Sequence, residues 1–225
     1  MTSTPFFPAL IRTDRHDEII YRWPFTLWAQ SETGLACVGL SEQVELIATD
    51  TSDPGSENRD VNPLGKIPTL VTDEGPLFDS RVILEALDRF AGGDKLLPPI
   101  GPDRTAVQTK VALIDGIMEA ALLIVYEARL RPEHMHVQSV LDYQRGKIER
   151  SLAYLDGLGL TYDKADQPDA ADIGLACALD YLDFREVADW QALAPSLVAW
   201  MTAFAASVPG YKQTLPEGIA AAPWR

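Results

Sequence analysis

Residues 62–90 read NPLGKIPTLVTDEGPLFDSRVILEALDRF. The stretch predicts a turn, a short strand, a tight turn, a second strand and an amphipathic helix. Pro68 has no N–H to give to a ladder, so it opens a strand or lies at an edge. It also pushes Ile67 toward extended geometry. The Ile67 N–H and C=O are then free to face a ligand, and a cis Ile67–Pro68 bond would turn them outward. Downstream, Ile83, Leu84, Leu87 and Phe90 recur at helical spacing, and Asp79-Ser80 immediately before them is an N-cap signal. A helix N-terminus offers free N–H groups and the positive end of a dipole to a carboxylate. A proline-fixed backbone edge beside a carboxylate, a hydroxyl and a helix start suits a small peptide that carries an ammonium and carboxylates. A plain β-hairpin with a capped helix accounts for the same spacing.

The stretch resembles the glutathione-binding half of the glutathione transferases. NPLGKIPTLV is close to that family's N-P-x-G-K-V-P-x-L segment, and FDSRVILEALD to its (E/D)-S-x-x-I-x-x-Y-L segment. PDAADIGLACALDYLDFREVADW (168–190) carries a second resemblance. ALIDGIMEAALLIVYEARLRPE (112–133) is similar to the first long helix of the second domain in a bacterial branch. The three segments stand in the family's order and span most of residues 39–210. The resemblance implies a thioredoxin-like α/β domain followed by an all-helical domain, with glutathione as co-substrate along the first. It implies that the Ile67 backbone, beside Pro68, pairs with the cysteinyl unit. Asp79 and Ser80 would hold the γ-glutamyl end, with Lys66 near a carboxylate. A small, fairly apolar electrophile would sit against the helical domain and be attacked by the glutathione thiolate. The family also implies a homodimer, the α/β domain of one subunit facing the helical domain of the other.

Composition fits a globular protein. A chain of 225 residues that is 47% hydrophobic can bury a sizeable core. No apolar run reaches the ~18–20 residues of a membrane span, and the start lacks the pattern of a secretory signal. The net charge of −14 argues against nucleic acid or an anionic membrane as partner. Cys37 and Cys177, both in apolar surroundings, make no disulfide framework, so a reducing cytoplasm is the expectation.

The chain is expected to divide at GGDKLLPPIGPD, in a linker over 92–104 that is rich in Gly and Pro. Residues 1–91 would form the thioredoxin-like domain and 105–225 the helical one. EIIYRW (18–23) and VELIA (44–48) read as strands, with a helix over roughly 28–39. With the hairpin and its helix this gives β-α-β, then β-β-α. Beyond the linker, one apolar stripe runs through Val107, Val111, Ile114, Met118, Ala121, Leu122 and Val125. A second runs through Val137, Leu141, Ile148, Leu152 and Leu155, and a third through Leu197, Trp200, Met201 and Phe204.

Asp169 and Asp172 have capping-box spacing, before a run that is apolar nearly all round as in a buried central helix. Asp180 lies inside that run and needs a partner, Arg185 or a backbone N–H. His134 and His136, two apart in an expected turn, read as a surface pair rather than metal ligands, and His16 reads as solvated. There is no C-x-x-C, no G-x-S-x-G and no phosphate loop.

The N-terminus departs from the family. Glutathione transferases place a Ser, Tyr or Cys at the start of the first helix, where it donates to the glutathione sulfur and favours the thiolate. The bacterial branch reads S-P-(F/Y)-x-R-K-(V/L) there. Alignment backward from Gly39-Leu40 without gaps sets Phe25 at the serine position, Thr26 at the proline position and Ala29-Gln30 at the Arg-Lys pair. Thr26 is the candidate catalytic hydroxyl, although its sequence position favours the plainer role of an N-cap for the following helix. Ser3-Thr4-Pro5-Phe6 is a displaced alternative. A lyase or thiol reductase would want a Cys at the helix start, and Cys37 lies too far along. Three explanations cover the atypical residues 1–33: divergence with loss of catalysis, a rebuilt first helix with another donor, or a 5′ coding region read in a shifted frame.

Overall fold

The fold is taken from a computed structural model, which describes residues 17–21, 28–163, 167–208 and 210–214. Strand β1 (Asp17–Tyr21) is followed by helix α1 (Trp28–Val38), strand β2 (Val44–Ala48) and the short helix α2 (Asn58–Val61). Then come β3 (Thr69–Thr72), β4 (Gly75–Phe78) and helix α3 (Ser80–Phe90). The four strands form one sheet in the order β2-β1-β3-β4. β1 runs parallel to β2, with Ile19 opposite Leu46, and antiparallel to β3, with Ile19 opposite Leu70. β3 and β4 form the expected hairpin, with Thr69 opposite Phe78 and Leu70 opposite Leu77. A parallel β-α-β unit extended by an antiparallel β-β-α unit is the thioredoxin-like arrangement.

Local chemistry explains the bounds. α1 stops at Gly39, whose φ of +75° suits a residue without a Cβ. The Leu40 N–H reaches back to the Leu35 carbonyl at 3.0 Å. Gly34 lets α1 press against α3, because a Cβ there would stand 2.6 Å from Leu84 Cδ2. Arg22 and Trp23, the expected end of the first strand, lie outside the described residues, as do His16 and Ser3-Thr4-Pro5-Phe6.

The rest is helical: α4 (Pro102–Leu130), α5 (Gln138–Gly157), α6 (Ala170–Arg185), α7 (Trp190–Leu193) and α8 (Ser196–Ser207), closed by a 3-10 turn at Tyr211–Thr214. α4 takes Pro102 into its first turn, where a missing N–H costs nothing, and so begins inside the glycine- and proline-rich stretch. Its stripe from Val107 to Ala121 is buried, whereas Leu122 and Val125 are half-buried. Val137 is not part of the α5 core. It precedes the helix as its N-cap residue and is exposed.

α6 is the central helix, buried on all sides as expected of its sequence. Its capping box is complete: Asp169 Oδ1 accepts from Asp172 N at 2.9 Å, and Asp172 Oδ2 accepts from Asp169 N at 3.1 Å. Fully buried Asp180 accepts a hydrogen bond from the Tyr211 hydroxyl. This ties the 3-10 turn to α6, and Thr214 in the same turn meets Thr33 of α1 at 3.2 Å between hydroxyls. His134 lies within a 3-10 turn (Glu133–Met135) and His136 directly follows it, its Nε2 donating to the Arg131 carbonyl at 3.0 Å. No helix among the described residues is long and apolar enough to cross a membrane. No group of three or more His, Cys, Asp or Glu among them could hold a metal ion.

Candidate functional site

The hairpin register builds the site. Thr69 lies opposite Phe78 at the end of the ladder, so Pro68, just before Thr69, and Asp79, just after Phe78, flank the same pair. The two pairs named from sequence therefore meet at one corner, where β4 gives way to α3. The Ile67–Pro68 bond is cis. Ile67 is half-buried, Pro68 buried and Lys66 exposed. Among the described residues no hydrogen bond takes the Ile67 N–H or C=O.

Asp79 turns the chain into α3 at φ 78° and ψ 127°, a left-handed φ that costs a non-glycine residue on the order of 1–3 kcal/mol. Its carboxylate caps the helix, accepting from Arg81 N at 3.0 Å. Ser80 is buried behind it. The Arg81 guanidinium grips the same carboxylate through both oxygens, at 3.0 and 2.9 Å. These bonds hold the Asp79 carboxyl below its ordinary range, with a smaller pull from the Lys66 charge. Asp79 is exposed, so it is an ionised acceptor facing solvent.

A relay runs inward from this carboxylate. Arg81 Nε lies 3.5 Å from Asp115 Oδ2 on α4. Asp115 is buried, and its Oδ1 accepts from Gln30 Nε2 on α1 at 3.2 Å. Burial pushes the Asp115 carboxyl up to about 6 despite the opposing pull of Gln30 and Arg81. Gln30 and Ala29, at the positions aligned with the family's Arg-Lys pair, are both fully buried. Thr26 lies outside the described residues.

Asp115, Arg81 and Gln30 were not foreseen as site residues. The i+2 spacing of Arg81 from Asp79 was a usable signal, since an N-cap carboxylate accepts from the N–H of the second helical residue. Nothing local announces Asp115, which is 85 residues from Gln30. Cys37 and Cys177 are both free thiols; burial pushes Cys37 up to about 12, so neither is an activated nucleophile. The corner can take an ammonium at Asp79, a carboxylate at the free N–H groups of the first turn of α3, and an extended backbone at Ile67.

Two family profiles match in sequence order. One, for the glutathione S-transferase N-terminal domain, spans residues 33–89, and the other, for the C-terminal domain, spans 103–203. A glutathione transferase family member from Pseudomonas fluorescens Pf-5, solved with bound glutathione, is 36% identical. The match covers 89% of this chain and 98% of that one, with a TM-score of 0.79. The chain belongs to the glutathione S-transferase family. A glutathione S-transferase from Methylobacillus flagellatus KT, solved with GSH bound, is 32% identical over 89% of this chain and 99% of its own, also with a TM-score of 0.79. YibF of Escherichia coli (strain K12), described as an uncharacterized GST-like protein, is 41% identical over 140 residues, 61% of this chain and 69% of its own. The N-terminal family match contains the whole corner from Lys66 to Ser80 and begins after Thr26.

Proposed function

We propose that this protein is a glutathione transferase that conjugates the glutathione thiolate to a small apolar electrophile. Glutathione lies along the thioredoxin-like part, residues 1–91, and the electrophile against the helices beyond the linker. The Ile67 backbone, beside Pro68, pairs with the cysteinyl unit. Asp79 takes the γ-glutamyl ammonium, Ser80 and the α3 N-terminus take its carboxylate, and Lys66 stands near another carboxylate. The Thr26 hydroxyl is the donor to the thiolate. The protein works as a homodimer in the cytoplasm, in detoxification, without a metal.

The observation that carries this reading is the hairpin whose last pair, Thr69 and Phe78, is flanked by Ile67-Pro68 on one strand and by Asp79-Ser80 at a helix start on the other. Support comes from two relatives, each above 30% identity and matched over nearly their whole length, that were solved with glutathione bound. Calorimetric titration with glutathione tests the site, and turnover of a generic aryl halide with glutathione tests the chemistry. Thr26→Ala is expected to lower kcat by about 10²–10⁴ with little change in glutathione affinity. Unchanged turnover removes Thr26 from the mechanism.

A second reading, a binder or regulator that keeps the glutathione site without turnover, is favoured by one observation. The residues aligned with the Arg-Lys pair are a buried alanine and a glutamine already committed to Asp115. Glutathione binding without conjugation of any aryl halide would select it.

A further inference from the structure

Three polar side chains with no role in the reading above converge on one carbonyl behind the corner. Asn58, Asn62 and Thr69 are each at most 1% exposed. Asn58 Nδ2 donates to the Lys66 carbonyl at 3.0 Å, and Asn62 Nδ2 donates to the same oxygen at 2.9 Å. The Thr69 hydroxyl donates to Asn58 Oδ1 at 2.9 Å and accepts from Asn62 Nδ2 at 3.2 Å. Asn62 Oδ1 in turn takes the Leu64 N–H at 3.0 Å, and the Asn62 carbonyl takes the Gly65 N–H at 2.8 Å.

The ring is closed, and it fixes its own orientation. Flipping either amide would bring an oxygen against the Lys66 carbonyl. Burying three polar side chains is costly unless each is satisfied. Here they are satisfied by one another and by a single backbone oxygen one residue ahead of Ile67. A hairpin needs no such device to pair. A backbone edge that must meet a ligand at hydrogen-bond distance does, because binding to a pre-set edge avoids the entropy of ordering it.

We propose that Asn58, Asn62 and Thr69 are positioning residues. They hold the Lys66 carbonyl so that the Ile67 backbone is presented in a fixed direction to the cysteinyl unit of glutathione. This rests on the reading of the corner as the glutathione site, and it adds a specific mechanism for affinity there. The cage backs the Ile67 edge and not the helices proposed to take the electrophile, so its loss is expected to act on glutathione alone.

The test uses the full-length protein, with glutathione itself as the probe. Asn58→Asp keeps the shape but turns an anionic oxygen toward the Lys66 carbonyl. The expected result is a glutathione Kd raised tenfold or more, with KM for glutathione raised in step and KM for the aryl halide unchanged. A folded Asn58→Asp protein that binds glutathione within twofold of wild type overturns the proposal, and so does an equal loss in both KM values. If Asn58→Asp does not fold, Thr69→Val and Thr69→Ser decide. Val removes the hydroxyl and is expected to weaken binding severalfold, whereas Ser restores it, and equal binding by the two overturns the proposal. Wild-type protein that binds no glutathione sinks the reading of the corner itself. That failure shows before any variant is made.

Discussion

Two buried polar clusters of the thioredoxin-like part, one around the Lys66 carbonyl and one on α1, differ in how they are satisfied. Around the Lys66 carbonyl, the side-chain amides and hydroxyl of Asn58, Asn62 and Thr69 are all paired within a span of twelve residues of sequence. On α1, three consecutive residues behave otherwise. Gln30 Oε1, Ser31 Oγ and Glu32 Oε2 are buried with no partner among the described residues. A paired cluster stores geometry, because every member resists displacement of the others. An unpaired one stores free energy that a proton, a water or another chain segment can release. The corner is therefore set in advance, while α1 is the more responsive of the two.

The largest effect is expected from breaking the paired side. Asn62→Ala removes two donors and one acceptor at once, and is expected to cost about 2–4 kcal/mol in denaturant unfolding. A loss below about 1 kcal/mol would mean that water replaces the amide freely and that the cage is not rigid.

The next effect sharpens the unpaired side and has the opposite sign. Burial pushes Glu32 up to about 7 and Asp115 up to about 6. Both carboxyls titrate higher folded than unfolded, so the folded chain binds more protons. Their contribution to stability is fully present below pH ~4 and is lost as pH rises through about 6 and then about 7. Glu32→Gln removes the larger part. It is expected to stabilise the protein by about 2 kcal/mol at pH 8 and by little at pH 5, once solvent screening of a partly exposed side chain is allowed for. Melting curves at the two pH values check this, and a variant equally stabilised at both contradicts it.

How legible these two sides were follows from the range of their interactions. The hairpin, its turn and the α3 cap are written locally, in Ile67-Pro68, Gly75 and Asp79-Ser80, and each falls where its chemistry requires. The capping box of α6 was equally readable because both partners lie three residues apart. The Asn58 amide was not, although Asn62 stood in the quoted motif, because its role depends on α2 folding over the strand. Asp115 and Gln30 meet only after the helical half docks on α1, and Tyr211 reaches Asp180 only when the chain returns across α6. Val137 misled in the other direction: an apolar residue at helical spacing sits one position before the helix that would have buried it.

The smallest stability change separates ligand grip from folding. Asp79→Gly relieves a left-handed φ but loses the carboxylate that caps α3 and holds Arg81. Because loss of the cap and of the Arg81 grip offsets the relief of about 1–3 kcal/mol of strain, the net change is expected within about 1 kcal/mol of zero. Glutathione affinity, by contrast, is expected to fall tenfold or more. A stability loss above about 2 kcal/mol with affinity intact would recast Asp79 as purely structural.

The most direct test is a crystal structure of the protein soaked with saturating glutathione. The account predicts the tripeptide extended along the sheet edge, its cysteinyl backbone hydrogen-bonded to Ile67 N–H and C=O and its γ-glutamyl end against Asp79 and Ser80. A corner left empty under those conditions, or occupied by residues of the chain's own N-terminal segment, would contradict it.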